Sequence, residues 1–281
     1  MSITNSSDPI YVLGRSKSET ERLQRQAQLF EPSTRRILEA AGVTKGMKVL
    51  DVGCGAGDVS LLAASLVGPT GSVVGVDNNP AILETARQRA QAAGLNHLSF
   101  VAGDIRDVAL DTDFDAAVGR LVLVYIADQA AALRTITRHL RPGGIVAFHE
   151  CDFALSASLT ADETTPQLYQ QLIFWLIEMF RRAGIDLHMA TSLPETFRQA
   201  ALPSPQMCLD AIVGCRPDWN GYEYLEGCLR SGLPLMTRFG LTTEEEAGVD
   251  TFAERLRAEV VNHRSTVVGP LMIGAWARTA C

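Results

Sequence analysis

No two of the six cysteines, Cys54, Cys151, Cys208, Cys215, Cys228 and Cys281, stand in a C-x-x-C pair. Without that spacing neither a zinc knot nor a disulfide framework is implied, and the thiols read as reduced packing groups. Positive charge is also in short supply: 25 Lys and Arg stand against 32 Asp and Glu, for a formal net charge of -7. A surface that gathers phosphates needs clustered Lys and Arg, so a nucleic-acid partner is not expected. No apolar run approaches the ~20 residues of a membrane span, and residues 1–9 lack the basic and then apolar pattern of a signal peptide. No membrane partner is expected, and the cytoplasm is the default location. Internal repeats and low-complexity tracts are missing as well.

What is present suits one compact α/β unit. The 281 residues are 47% hydrophobic and 20% charged, ordinary globular usage that allows a large buried core. Short β-rich runs at 47–52, 72–77, 97–102, 114–119 and 145–151 alternate with helical patterns at 58–66, 80–93 and 128–140. Strands that are apolar almost throughout and alternate with helices imply a parallel sheet covered on both faces, a doubly wound fold. Ahead of this core, 16–38 reads as two helices broken at Pro32. After it, apolar helical stretches at 166–183 and 219–263 read as insertions, with a helix at 195–201 and strands at 206–213 and 266–277 between and after them.

The chemistry concentrates where the first strand ends. Val49-Leu50-Asp51-Val52-Gly53-Cys54-Gly55-Ala56-Gly57-Asp58 runs from an apolar strand through a glycine-rich turn into a helix. Glycines there permit φ > 0 and close approach by a ligand, and the helix start offers free N–H groups. About 20 residues on, Val73-Val74-Gly75-Val76-Asp77 ends a second strand in a carboxylate placed to accept hydrogen bonds from ribose hydroxyls. A dinucleotide fingerprint reads G-x-G-x-x-G, whereas here the third glycine comes one position early and Asp58 follows it. An acidic residue at that helix start repels a pyrophosphate and suits a ligand with an ammonium group and no phosphate.

The 51–58 block resembles motif I of the class I, Rossmann-like S-adenosylmethionine-dependent methyltransferases. Val76-Asp77-Asn78 is similar to the family's ribose-binding acidic loop, Gly103-Asp104-Ile105 to its adenine-flanking motif, and Leu140-Arg141-Pro142-Gly143-Gly144 to the turn before strand five. Together with Tyr11-Val12-Leu13-Gly14, the pattern resembles the ubiquinone-type and natural-product group, which methylates small molecules. The resemblance implies a mostly parallel, seven-stranded doubly wound sheet. Residues 1–44 would form an N-terminal helical lid, and 45–281 the Rossmann-like domain with helical insertions near 160–190 and 219–263 as a small cap. It implies S-adenosylmethionine as cofactor, with Asp51, Gly53, Gly55 and Gly57 at the methionine moiety, Asp77 and Asn78 at the ribose and Asp104 and Ile105 at the adenine. Arg120, just past strand four, would meet the ligand through its backbone, and Tyr11 and Gln26 would be lid contacts.

Methyl transfer from a sulfonium needs orientation first and a base only when the nucleophile must lose a proton. The end of strand five, Phe148-His149-Glu150-Cys151-Asp152, lies where open α/β sheets bind ligands. His149 and Glu150, on opposite faces by alternation, are therefore the candidate general bases, with His149 favoured because its ordinary pKa suits the task. A metal held by His149, Glu150 and Asp152 is the lesser reading, and no metal is expected. The expected partner is a small-molecule acceptor, apolar or aromatic, and a homodimer is allowed. A non-methylating S-adenosylmethionine-binding protein or cyclase on the same fold, and a nicotinamide dehydrogenase, are the open alternatives.

Overall fold

The computed structural model of the chain describes residues 17–161 and 164–280. Its parallel half comprises α1 (Lys17–Ala41), β1 (Lys48–Val52), α2 (Asp58–Val67), β2 (Ser72–Asp77), α3 (Pro80–Ala92), β3 (Leu98–Ala102), β4 (Phe114–Arg120), α4 (Gln129–Thr137) and β5 (Leu140–Cys151). There follow α5 (Phe153–Ser158), α6 (Gln167–Arg182), α7 (Leu193–Gln199), β6 (Gln206–Gly214), α8 (Gly221–Arg238), the one-turn α9 (Glu244–Ala247), α10 (Phe252–His263) and β7 (Val267–Arg278). The strands make one seven-stranded sheet in the order β3-β2-β1-β4-β5-β7-β6. β1 to β5 are parallel, and β7 runs antiparallel between β5 and β6. The expected doubly wound, mostly parallel sheet is the one observed. The chain winds outward from β1 in one direction and from β4 in the other, so a crevice opens at their carboxyl ends, the switch point where such sheets hold ligands.

Both faces of the sheet are covered, which is why its strands are apolar throughout rather than alternating. On one face Val49, Val73, Ala116, Val118, Ile145 and Ala147 pack against Val59, Leu62 and Ala63 of α2 and Leu38 and Ala41 of α1. On the other, Leu50, Val52, Ala117, Val146 and Phe148 share a core with Leu133 and Ile136 of α4. That core continues over the carboxyl end of the sheet into α6 and α8, through Tyr169, Trp175, Tyr222 and Tyr224. Each large aliphatic side chain fully buried in this way is worth ~1.5–3 kcal/mol. Among the described residues no helix is long and apolar enough to cross a membrane.

Two local readings of the sequence are corrected. Pro32 does not divide the N-terminal segment: α1 is one continuous helix with Pro32 inside it. A mid-helix proline costs about 3 kcal/mol, but residues on both sides of it are pinned by packing, with Phe30 at 1% and Ile37 and Leu38 at 2% exposure. Tertiary burial outweighs the local penalty. The helix expected over 128–140 stops at Thr137, and β5 starts early, at Leu140, paired with Phe114. The register then slips before Ala116 meets Ile145. Arg141-Pro142-Gly143-Gly144 fills the slip, with Gly143 at φ +74 and no room for a Cβ at Gly144, where the Arg141 carbonyl would lie 2.9 Å away.

Candidate active site

β1 runs straight into the glycine turn, where Gly53, Gly55 and Gly57 take left-handed φ values of +64, +51 and +84. The three differ in what surrounds them. A Cβ on Gly53 would lie 2.3 Å from Val122 Cγ2, and one on Gly57 would lie 3.1 Å from Ala86 Cβ and 3.2 Å from Phe100 Cζ. Those two glycines let the protein close on itself. Gly55 has nothing within 4 Å of the same position, so its bare backbone faces open space. The turn delivers the chain to α2, whose N-cap Gly57 supplies no side-chain cap to the first N–H groups.

Carboxylates organise this turn. Asp77 at the end of β2 accepts the Gly55 N–H at 2.9 Å with Oδ2 and the Asn79 N–H at 2.8 Å with Oδ1, tying the two loops together. Asn78 beside it is exposed. Asp51 is 1% exposed and accepts the Ser60 hydroxyl at 2.5 Å on Oδ2. Its Oδ1 has no hydrogen-bond partner among the described residues. Burial raises the Asp51 carboxyl to about 7, against the pull of Ser60 and Arg120. Asp58 is ion-paired with Arg89 at 2.6 Å, and Arg89 also donates to the Ala56 carbonyl at 2.6 Å. The negative charge expected to attract an ammonium from Asp58 is thus already matched, and Asp51 is the carboxylate left with an unused oxygen. After β3, Asp104 accepts the Arg106 N–H at 2.9 Å and Nε–H at 2.8 Å. Its carboxyl is held below the usual range, chiefly by Arg106. Ile105 is buried.

The end of β5 is built differently. Arg120, its side chain 5% exposed, has Nη2 3.9 Å from Asp58 and donates from Nη1 to the Thr34 hydroxyl at 3.2 Å. The Thr34 hydroxyl donates to the Phe30 carbonyl at 2.9 Å, and the same oxygen stands within hydrogen-bond distance of His149 Nδ1, at 3.1 Å. The other ring nitrogen of His149, Nε2, is buried and has no partner among the described residues. Burial, then the positive charges of Arg120 and Arg36, lower His149 to about 3. The argument from its ordinary pKa does not hold, because the ring stays neutral through the physiological range. Glu150, on the opposite face and 0% exposed, accepts the Val122 and Leu123 N–H groups on Oε1, each at 3.0 Å. Its Oε2 is without a partner among the described residues, and burial raises the carboxyl to about 7. Asp152 caps α5 through the Leu155 N–H at 2.7 Å and accepts the Thr191 hydroxyl at 2.6 Å. Among the described residues no three His, Cys, Asp or Glu side chains are grouped to hold a metal ion.

The sequence-derived residues Asp51, Gly53, Gly55, Gly57, Asp77, Asn78, Asp104, Ile105 and Arg120 all come to the carboxyl ends of β1 to β4. Gln26 lies on α1, buried rather than solvated, with its amide oxygen taking the Arg22 Nη1 proton at 2.7 Å. Tyr11 lies outside the described residues. Nothing in the sequence marks Thr34, Ser60, Val122 or Leu121. Thr34 falls on the buried stripe of α1 four residues after Phe30, which is its only trace. Leu121, at φ +54, is a branched residue in a conformation that costs ~1–2 kcal/mol.

A family model described as "Methyltransferase domain" matches residues 43–190, just over half of the chain and all of the parallel core. The chain belongs to this family. Among curated relatives, aklanonic acid methyltransferase DauC of Streptomyces sp. (strain C5) is 32% identical over 156 residues, 55% of this chain and 71% of that protein. Demethylmenaquinone methyltransferase of Staphylococcus aureus is 35% identical over 113 residues, 40% of this chain. The matched stretch spans 46% of that relative's length. Among solved structures, geranyl diphosphate C-methyltransferase from Streptomyces coelicolor A3(2), with Mg2+, geranyl diphosphate and S-adenosyl-L-homocysteine, aligns over 95% of this chain and 87% of its own, with a TM-score of 0.54 at 14% identity. The [4+2]-cyclase SpnF aligns over 90% and 82%, with a TM-score of 0.52 at 18% identity. At those identities the two structures share the fold alone with this methyltransferase. The methyltransferase is a class I enzyme that uses S-adenosylmethionine as methyl donor.

Proposed function

We propose that this methyltransferase moves the methyl group of S-adenosylmethionine onto an oxygen, nitrogen or carbon of a small apolar or aromatic metabolite, held where β4 and β5 end beneath α1 and the α6–α8 cap. The observation that carries the reading is the open backbone at Gly55 beside a buried carboxylate with an unused oxygen, Asp51 Oδ1. Gly53, Gly55, Gly57 and Asp51 would take the amino-acid end of the donor, the last as acceptor for its ammonium. Asp77 and Asn78 would take the ribose, and Asp104 and Ile105 the adenine, with the Arg120 backbone and Gln26 at the methionine side. Bound S-adenosylmethionine supplies an electrophilic methyl carbon on a positively charged sulfur.

The acceptor class is supported from three sides. The core packed above the sheet is aliphatic and aromatic, from Phe30 and Tyr224, packed edge to face at 5.8 Å, to Trp175 and Phe180, so a site opened beside it would be apolar. The chain is acidic overall, which disfavours polyanionic acceptors. The relatives named above are methyltransferases of aklanonic acid and of demethylmenaquinone. His149, held neutral, and Glu150, spent on two backbone amides, act here by holding structure, so orientation rather than a strand-five base is the main device. The cysteines Cys54, Cys151, Cys208, Cys215 and Cys228 are all free, in keeping with action in the cytoplasm.

The test incubates the chain with S-adenosylmethionine and a panel of phenols, quinones and aromatic acids, and follows both products by mass spectrometry. One methyl gained by an acceptor, with S-adenosylhomocysteine formed in equal amount, is the expected result. Tight S-adenosylhomocysteine binding with the donor never consumed, and an acceptor rearranged without mass gain, would instead establish the cyclase-type alternative.

A further inference from the structure

The turn after β4 is held from three directions. Leu121 sits at φ +54, where a branched side chain stays only under constraint. Its N–H donates to the His149 carbonyl at 3.0 Å, and the Tyr125 N–H closes the turn on the Val122 carbonyl at 3.1 Å. Between these, the Val122 and Leu123 N–H groups point away from any strand, and buried N–H groups must find acceptors. Oε1 of Glu150 accepts both, reaching across from β5. One carboxylate oxygen thus does for this turn what a neighbouring strand does elsewhere in the sheet.

The turn in its held position touches the glycine loop. The Val122 side chain lies where a Cβ of Gly53 would be 2.3 Å from Cγ2 and a Cβ of Gly119 2.9 Å from Cγ1. Val122 therefore backs the first glycine of the cofactor turn directly, and Gly53 leads within two residues to Gly55, the open position. A shift of Val122 by a few tenths of an ångström would be passed on to that backbone, since the contact has no slack.

Taking the 53–57 turn as the seat of the methyl donor, we propose that Glu150 is a positioning residue for cofactor binding: by gripping the Val122 and Leu123 amides it sets Val122 behind Gly53. The acidic residue read from the sequence as a base then acts on the reaction without touching either reactant. Its unpartnered Oε2 is consistent with this, because the grip needs only the other oxygen. A glutamine keeps one oxygen able to accept both N–H groups, whereas alanine leaves two buried donors empty.

The experiment is calorimetric titration of the full chain with S-adenosylhomocysteine, run on Glu150→Ala, Glu150→Gln, Val122→Ala and the double variant Glu150→Ala/Val122→Ala. Expected are a loss of about 10-fold or more for Glu150→Ala, about 3-fold or less for Glu150→Gln, and about 5-fold for Val122→Ala. Because both side chains act through one turn, the double variant should bind no more weakly than Glu150→Ala alone. A burial role for Glu150 without any link to Val122 predicts that the two losses multiply, and that result overturns the proposal. Wild-type affinity in either single alanine variant overturns it too. Should Glu150→Ala fail to fold, Val122→Ala decides: weaker binding with an unchanged melting curve supports the link, and unchanged binding ends it. If the wild-type chain itself does not bind S-adenosylhomocysteine, it is the donor-site reading that fails, and the proposal falls with it.

Discussion

The glycine turn after β1 and the polar end of β5 lie two strands apart in one sheet and solve opposite problems. The turn presents main chain: three glycines at positive φ, one of them facing open space, with carboxylates beside them. The end of β5 presents side chains, His149 and Glu150, and buries both almost completely. Each has one atom satisfied and one left without a partner among the described residues. A site made of backbone can be recognised from residue type alone, because few residues adopt its geometry. A site made of buried polar side chains has its meaning set by whatever packs against it.

The sharpest way to probe this contrast is inside the glycine turn itself. Gly53→Val drives a side chain into Val122 and strains a φ of +64, so it should destabilise the fold and abolish S-adenosylhomocysteine binding together. At Gly55 an added Cβ has no protein atom within 4 Å, so Gly55→Val should cost the fold little beyond the ~1–2 kcal/mol of its left-handed backbone. It should nevertheless abolish binding, with a cooperative melt retained. Equal effects on melting for the two variants, seen by circular dichroism, would show that the glycines are not divided between packing and ligand.

A smaller effect is expected at β5. Thr34→Val keeps the shape of α1 but strips the hydroxyl that Arg120 and His149 share as a hydrogen-bond partner, and should cost about 1–3 kcal/mol in urea denaturation. The smallest effect is a drift of stability with pH. Asp51 and Glu150, ordinarily at 3.8 and 4.5, are both raised to about 7, so from pH ~4.5 to 7 the folded chain holds up to two protons that the unfolded chain has released. His149, lowered from 6.5 to about 3, works the other way, since below 6.5 it is the unfolded chain that binds the extra proton. The carboxyls outnumber the histidine, so without ligand the stability should fall as pH rises from 5 to 7.5, most steeply around pH ~6 to 6.5. Denaturation midpoints at the two ends measure the gap, and Glu150→Gln should narrow it. A rise over that range would mean that His149 dominates.

What the sequence made legible follows the same division. β1 to β5 and their crossover helices were readable because buried parallel strands must be apolar throughout, and the Gly53, Gly55 and Gly57 turn because a left-handed backbone restricts residue type. The roles of His149 and Glu150 were not, because strand alternation shows that they face opposite ways but not that Thr34 waits on one side and the Val122 amide on the other. Pro32 misled for a related reason: its local cost is visible in the sequence, while the packing of Phe30, Ile37 and Leu38 that overrides it is not.

One strand has a consequence for the order in which the molecule can be assembled. β7 is the last of the seven to leave the ribosome, yet it pairs with β5 along Ile145 to Cys151 on one side and with β6 on the other. Until residues 267–278 are made, β5 is an open sheet edge more than a hundred residues behind the growing point. Closure must then bring together segments far apart in sequence, the kind of contact that slows folding. Gly274, the β7 partner of His149, leaves the space that Ile37 of α1 fills, so part of the packing of α1, made long before β7, waits until β7 arrives. A nascent chain halted before residue 267 should therefore leave the β5 side of its core open to proteases and chaperones, with the glycine turn after β1 already formed.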